Sequence, residues 1–253
     1  MIGVLPLLVV LIVVAVVVAL RSGRHPAGAA DGGAAGGVRR VFTLLLLAGG
    51  VGFAASGYGI MYNTRYMRAN NLPVPTEWDD LAKPAYAGHV GISAPSRSGT
   101  THLTVETILQ GEGWDEGWRT IKAIGGNLQQ VTERSFGVPD AVNSGQVGFG
   151  IVIDFFAFSS QASGFPVKFV YPTVTTIVPA NVAIVANAPN KAGAEAFIDY
   201  LLSPAGQEVL LEPTIRRLPV NPAVYAKAPP DYPNPFTDPS LGARVKFDVN
   251  VSE

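Results

Sequence analysis

The residues with most chemistry to offer sit in one loop, Pro95-Ser96-Arg97-Ser98-Gly99-Thr100-Thr101. Four hydroxyls, a guanidinium and a glycine fall within seven positions. Gly99 permits a tight turn and close approach of the backbone to a ligand. If a helix begins here, its first amides lack internal partners and carry the positive end of the helix dipole. Hydroxyls, guanidinium and amides then converge on a site suited to a phosphate, phosphonate, carboxylate or sulfate. The same residues also make an ordinary Ser/Thr helix cap with Arg97 in solvent.

Other candidates stand further along. Arg134 and Ser135 lie in the polar stretch Glu133-Arg134-Ser135-Phe136-Gly137 and offer a second cation and another hydroxyl. Asp154 directly follows an apolar strand, where open α/β sheets place ligands, and is equally suited to cap the next helix. Thr175 and Thr176 add hydroxyls on an extended link. Covalent chemistry is poorly supplied. Ser98 and His102 are four apart, but there is no G-x-S-x-G elbow and no evident acid partner. Neither paired carboxylates nor metal-ligand spacing stands out, and cysteine is absent. The expectation is a binder without catalytic residues, metal or cofactor.

The elements that must position these residues are legible in the apolar spacing. Residues 89–93 read as a strand that Pro95 ends. Val105, Ile108 and Leu109 place a helix over 100–110, capped by Ser98 or Thr100. Residues 57–63 read as a strand, and Thr76 as the cap of a short helix through Leu81. Trp114, Trp118, Ile121 and Ile124 mark the inward face of a helix ended by Gly125-Gly126. A short helix over 139–143 closes at Gly145. Residues 146–153 read as a strand buried on both faces, followed by a helix over 155–161. Strands are expected over 167–171 and 182–186, with an extended link at 172–179 between them. Asn190 opens a helix whose buried face is Ala194, Phe197, Ile198 and Leu201, and Ser203-Pro204 starts another. Strands alternating with helices make the class α/β.

The chain has 253 residues, 48% of them apolar and 15% charged, with a formal net charge of −1. No basic patch suggests nucleic acid. Residues 2–20 carry no charge and are long enough to span a bilayer as a helix. A signal peptide would have a shorter apolar stretch and a basic start, so a transmembrane helix is expected over 1–20. Residues 21–40 form a Gly/Ala/Arg linker, and 41–56 a second apolar helix or signal-like segment. The arginines between the two apolar segments put the linker in the cytoplasm and everything after Gly57 outside, so the soluble part is expected to be membrane-anchored and periplasmic or extracellular. Residues 226–253, proline-rich and then polar, read as a surface tail.

Several stretches together resemble the solute-binding proteins of ABC importers, of the type II group that includes ferric-ion, phosphonate and phosphoglycerate binders. They are Glu77-Trp78-Asp79-Asp80-Leu81, Ala94-Pro95-Ser96-Arg97-Ser98-Gly99-Thr100 and Val142-Asn143-Ser144-Gly145-Gln146. The most specific is Ala196-Phe197-Ile198-Asp199-Tyr200-Leu201-Leu202-Ser203-Pro204-Ala205-Gly206-Gln207-Glu208, followed by Leu218-Pro219-Val220-Asn221-Pro222. The resemblance covers about 57–225. It implies two α/β lobes joined by hinge strands, a small anionic solute between them held by the Ser-rich loop, and ABC permease subunits as partners. Asp154 would receive an amino group of the ligand. Ferric binders of this group carry adjacent tyrosines where this chain has Phe155-Phe156, and a phenyl ring has no oxygen for a hard cation. Members also carry most of a first lobe before the strand that matches 58–63, where this chain has membrane-like segments. One complete lobe and one partial lobe are therefore expected. The alternatives are a membrane-tethered sensor or interaction module, or a ferric binder that has lost its ligands.

Overall fold

A computed structural model describes residues 50–238, 241, 245–248 and 251. The membrane helix expected over 1–20, the linker at 21–40 and the start of the second apolar segment lie outside the described residues. Among the described residues, no helix is long and apolar enough to cross a membrane.

One strand organises both halves. β1 (Val51–Asn63) is thirteen residues long and buried from Gly52 onward. Its second half pairs with β4 (Phe149–Ile153) and β5 (Val167–Val170), with Tyr58 opposite Ile153 and Ile60 opposite Val170. Its first half pairs with β6 (Ile177–Val182) and β7 (Leu218–Pro219), with Gly57 opposite Ile177 and Ala54 opposite Pro219. The chain therefore leaves one lobe and enters the other within a single strand, at Gly57–Tyr58. It crosses back between Val170 and Ile177, and residues 245–248 return to the larger lobe, where the Asp248 amide donates to Gln110 Oε1 at 2.8 Å.

β2 (Val90–Ser93) is parallel to both β3 (Leu128–Thr132) and β4. The larger lobe therefore has strand order β3-β2-β4-β1-β5. Both faces of the sheet are covered, and period-2 alternation sorts the side chains. Ile60, Tyr62, Phe149 and Ile151 meet α3 (Gly99–Glu112) and α4 (Trp114–Gly126) through Ile108 and Ile124. Met61 and Val152 meet α5 (Gly137–Ser144) and α6 (Asp154–Ala162) through Val138, Val142 and Ala157. In the smaller lobe, Phe53 and Ala54 pack on Leu210, with Leu201 and Leu202 of α7 (Lys191–Leu202) partly covering them. Gln207 of α8 (Pro204–Val209) is fully buried; it donates to Phe53 and Leu201 carbonyls and accepts from Val220 and Asn221 amides.

The structure corrects several expectations. Residues 51–56, read as the end of an apolar helix, are strand, because β6 and β7 supply backbone partners on both sides. The strand expected over 182–186 lies at Ile177–Val182 instead, where Ile177 and Val178 pair with Gly57 and Ser56. Glu77, not Thr76, caps the helix at Trp78–Leu81, in a reciprocal box with Asp80. Trp114, expected inside, is 69% exposed and stacks edge-on against Trp118. The face of α4 that packs inward is Gly117, Thr120 and Ile124. A side chain at Gly117 would come within 2.9 Å of the Leu109 backbone, so the close approach of α3 leaves no room for a ring there. No residue of α7 is fully buried, and Phe197 is 54% exposed. The stretch read as a surface tail adds Tyr232 to the core beside Ala55 and Leu218, and Val245 is buried as well.

Candidate functional site

β2, β3 and β4 run in the same direction, so their carboxyl ends share one edge. Ile153, the last residue of β4, lies opposite Tyr58, immediately beside the crossover. That edge therefore faces the joint between the lobes. Each of the three strands delivers its chain to a helix start there: β2 to Ser98–Gly99, β3 to Phe136–Gly137 and β4 to Ile153–Asp154.

The first start is the Ser-rich loop. Ser98 caps α3, its Oγ accepting from the Thr101 amide at 3.2 Å and from the Thr101 hydroxyl. Thr101 also shares a hydrogen bond with Ser93. Ser98 is 5% exposed and Thr101 fully buried, so both hydroxyls serve the fold. Ser98 is bonded to Thr101 rather than to the His102 ring. Ser98→Ala should cost about 1 kcal/mol of stability as a lost cap, read as a lowered urea midpoint. Ser96, Arg97 and Gly99 are exposed and Thr100 is half-buried. The Gly99 and Thr100 amides make no hydrogen bond to a described residue, as expected for the first turn of a fourteen-residue helix. Arg97 is ion-paired with Glu133 at the surface, and Arg134 Nη1 donates to the Arg97 carbonyl at 3.3 Å, which brings the first two loops together. Exposed pairs of this kind are worth about 0–1 kcal/mol and exchange readily for a ligand anion. Ser135 is half-buried beside them.

Asp154, at the third start, is 1% exposed. Its Oδ2 accepts from the Gly57 amide at 2.7 Å and the Tyr171 hydroxyl at 2.8 Å, and its Oδ1 from the Phe155 amide at 2.7 Å. It thus ties the outgoing crossover, at Gly57, to the returning one, at Tyr171. Burial pushes its carboxyl up to about 6, against the hydrogen bonds from Gly57, Tyr171 and Phe155 and the charge of Arg217. The Tyr171 phenol is held well above its ordinary value by its own burial and by Asp154. The carboxylate thus holds the two crossovers together. Thr175 is committed too, donating to the Tyr58 carbonyl at 2.7 Å, and Thr176 is buried next to it.

Arg217 escapes the sequence reading. It precedes β7 in the smaller lobe, and its guanidinium carbon lies 3.7 Å from the centre of the Phe155 ring. This is a cation–π contact across the joint. Burial lowers its pKa and Asp154 raises it, but its side chain makes no hydrogen bond to a described residue. A half-buried guanidinium with idle donors is equipped to take an anion bidentately. Its sequence signal is the Arg216-Arg217 pair directly before Leu218-Pro219-Val220-Asn221-Pro222.

Two α/β lobes that share a long strand, with helix starts and cations gathered at their joint, define the class of a cleft-type solute-binding protein. Residues 50–239 match the family described as bacterial extracellular solute-binding protein, and the chain belongs to it, as a type II member. It is 41% identical over 172 residues to the phosphoglycerate transport regulatory protein PgtC of Salmonella typhimurium; the match takes in 68% of this chain and 43% of that protein. Among solved structures it is similar to the periplasmic binding protein P5PA, with a TM-score of 0.68 and 26% identity over 81% of this chain and 64% of that one. It is also similar to the periplasmic binding protein AfuA of Actinobacillus pleuropneumoniae, solved with fructose-6-phosphate bound. There the TM-score is 0.63 and the identity 23%, over 79% of this chain and 59% of that one. The chain thus spans less than half the length of the curated relative it matches.

Proposed function

We propose that this chain captures a small organic anion, a phosphate ester or phosphonate, at the joint between its lobes and presents it to the permease of an ABC importer. The observation that carries the reading is the pair of unpartnered amides at Gly99 and Thr100, at a helix start on the edge that faces Arg217. Ser96 and Thr100 add hydroxyls, and Arg97, Arg134 and Arg217 supply charge. Ser98, Thr101, Asp154, Thr175 and Thr176 shape the site from behind. The names of two similar proteins support a phosphorylated ligand, since one is a phosphoglycerate transport regulatory protein and the other was solved with fructose-6-phosphate bound. The apolar segment at 1–20 would tether the capture domain to the outer face of the cytoplasmic membrane. Iron is not proposed, because Phe155-Phe156 bring no oxygen to the joint.

Calorimetry on the full chain tests this. Glycerol 3-phosphate should give saturable heat, and spermidine at the same ionic strength none. Absence of heat with every phosphate ester and phosphonate tried would sink the proposal. Gly99→Pro is the sharper probe. The position is the first of the helix, where proline is favoured, and the preceding Ser98 is extended. A side chain there meets nothing within 4 Å. The variant should fold normally yet lack one anion-facing N–H, weakening glycerol 3-phosphate binding about ten-fold. An unchanged dissociation constant would remove the helix start from the site.

The word regulatory in the relative's name favours a second reading, in which the same capture is signalled across the membrane rather than delivered to a permease. Solute uptake lost on deletion of the chain supports delivery; loss of a transcriptional response with uptake intact supports signalling.

A further inference from the structure

Three phenyl rings run along the site from the larger lobe toward the smaller. Phe136 meets Phe156 edge-on with ring centres 5.8 Å apart, Phe156 meets Phe155 at 4.6 Å, and Arg217 closes the row over Phe155. The row begins beside the anion loop, because Arg134, two residues before Phe136, reaches the Arg97 carbonyl. Phe155 and Phe156 are half-buried, and Phe136 is 51% exposed in an otherwise polar loop. The core beneath α5 is filled by Val138, Ala141 and Val142, without Phe136. Beyond its edge contact with Phe156, half of the Phe136 ring is left open to solvent.

The rings decide what the anion can be attached to. They present apolar faces and edges and no hydrogen-bonding atom. A polyol laid against them would turn hydroxyls from water without replacing their hydrogen bonds. A flat apolar group would gain ring–ring contact and lose nothing polar. Resting on the anion-capture reading, we infer that the organic body of the ligand is a planar aromatic or conjugated ring carried on the phosphoryl group, seated against Phe136 and the exposed edge of Phe156. The loop amides with Arg97 and Arg134 hold the charged end beside Phe136, and the row of rings sorts anions by their bodies.

The test compares phenyl phosphate with glycerol 3-phosphate on the full chain by calorimetry, at one pH and one salt concentration. Phenyl phosphate should bind at least about five-fold more tightly, the effect of a single ring–ring contact. Phe136→Ala should erase that preference by weakening phenyl phosphate without weakening glycerol 3-phosphate, whereas a merely structural loss would weaken both. Phe136→Trp should retain the preference. Phe136 is the residue to change because Phe156 also packs on the core. Equal affinity for the two esters, or a preference for glycerol 3-phosphate, overturns this inference and leaves the anion site standing. Failure of both esters to bind overturns the inference together with the reading beneath it.

Discussion

Asp154→Ala is expected to lower the stability of the folded chain by about 3 kcal/mol at pH 7, enough to move a urea midpoint far outside error. The carboxylate accepts three hydrogen bonds in a site closed to water. Alanine removes both acceptor oxygens, so the Gly57 and Phe155 amides and the Tyr171 hydroxyl are left buried without a partner. The loss falls on both crossovers at once, because Gly57 lies on the outgoing one and Tyr171 on the return. A variant that melts with the wild type would mean that the joint is held elsewhere.

The same group sets a pH dependence whose sign is opposite to that of an ordinary paired carboxylate. Its folded-state value, about 6, lies above the ordinary value of 3.8. Between those limits the native chain binds a proton that the unfolded chain does not, so stability falls as pH rises. Lowering the pH from 7 to 5 should stabilise the wild type by about 1 kcal/mol, and Asp154→Asn should lack that increment. Asp80 acts in the other sense and at lower pH. Although burial works against it, bonds from Lys83, Thr76 and Glu77 hold it below the usual carboxylate range. Burial also holds Glu112 above the usual carboxylate range and it acts in the same sense as Asp154, so the comparison with Asp154→Asn, rather than the interval alone, isolates Asp154. A stability curve that is flat or rising there would contradict the hinge role.

Local rules were enough to find the Ser-rich loop. Pro95 and Gly99 bracket it, and the apolar spacing of Val105, Ile108 and Leu109 fixes the helix behind it. They were not enough for the first half of β1. Gly52-Phe53-Ala54-Ala55-Ser56 has neither alternation nor β-branched residues, and a run of small apolar residues reads as well for a membrane or signal segment. Only the backbone groups of β6 and β7, more than a hundred residues downstream, make it a strand. The same long-range pairing placed β6 five residues earlier than its apolar run suggested. Asp154 was found by its place after β4, but its role was not, because Gly57 and Tyr171 come from elements far apart in sequence. Arg217 was missed because it sits in a short connection with no periodicity. What selects it is contact with Phe155 from the other lobe, and no local pattern encodes that.

Arg217 is also where the binding proposal meets its hardest test. Arg217→Ala should weaken glycerol 3-phosphate binding about fifty-fold, the loss of a charge-assisted pair worth about 2–3 kcal/mol. The guanidinium is the cation that the smaller lobe brings to the joint, and its stack on Phe155 fixes its plane before any ligand arrives. Lysine keeps the charge but neither the fork nor the flat stacking surface, so Arg217→Lys should recover only part of the affinity. The neighbouring Arg216 is the control. It lies over the Tyr232 ring at 5.5 Å and has a left-handed backbone, φ 47°, which asparagine tolerates. Arg216→Asn should leave binding unchanged. Removing Arg217 also takes a counter-charge from Asp154, so each variant needs a thermal melt beside its titration. If Arg217→Ala folds and binds like the wild type, the anion is held by the larger lobe alone, and the contact across the joint serves only to set the angle between the lobes.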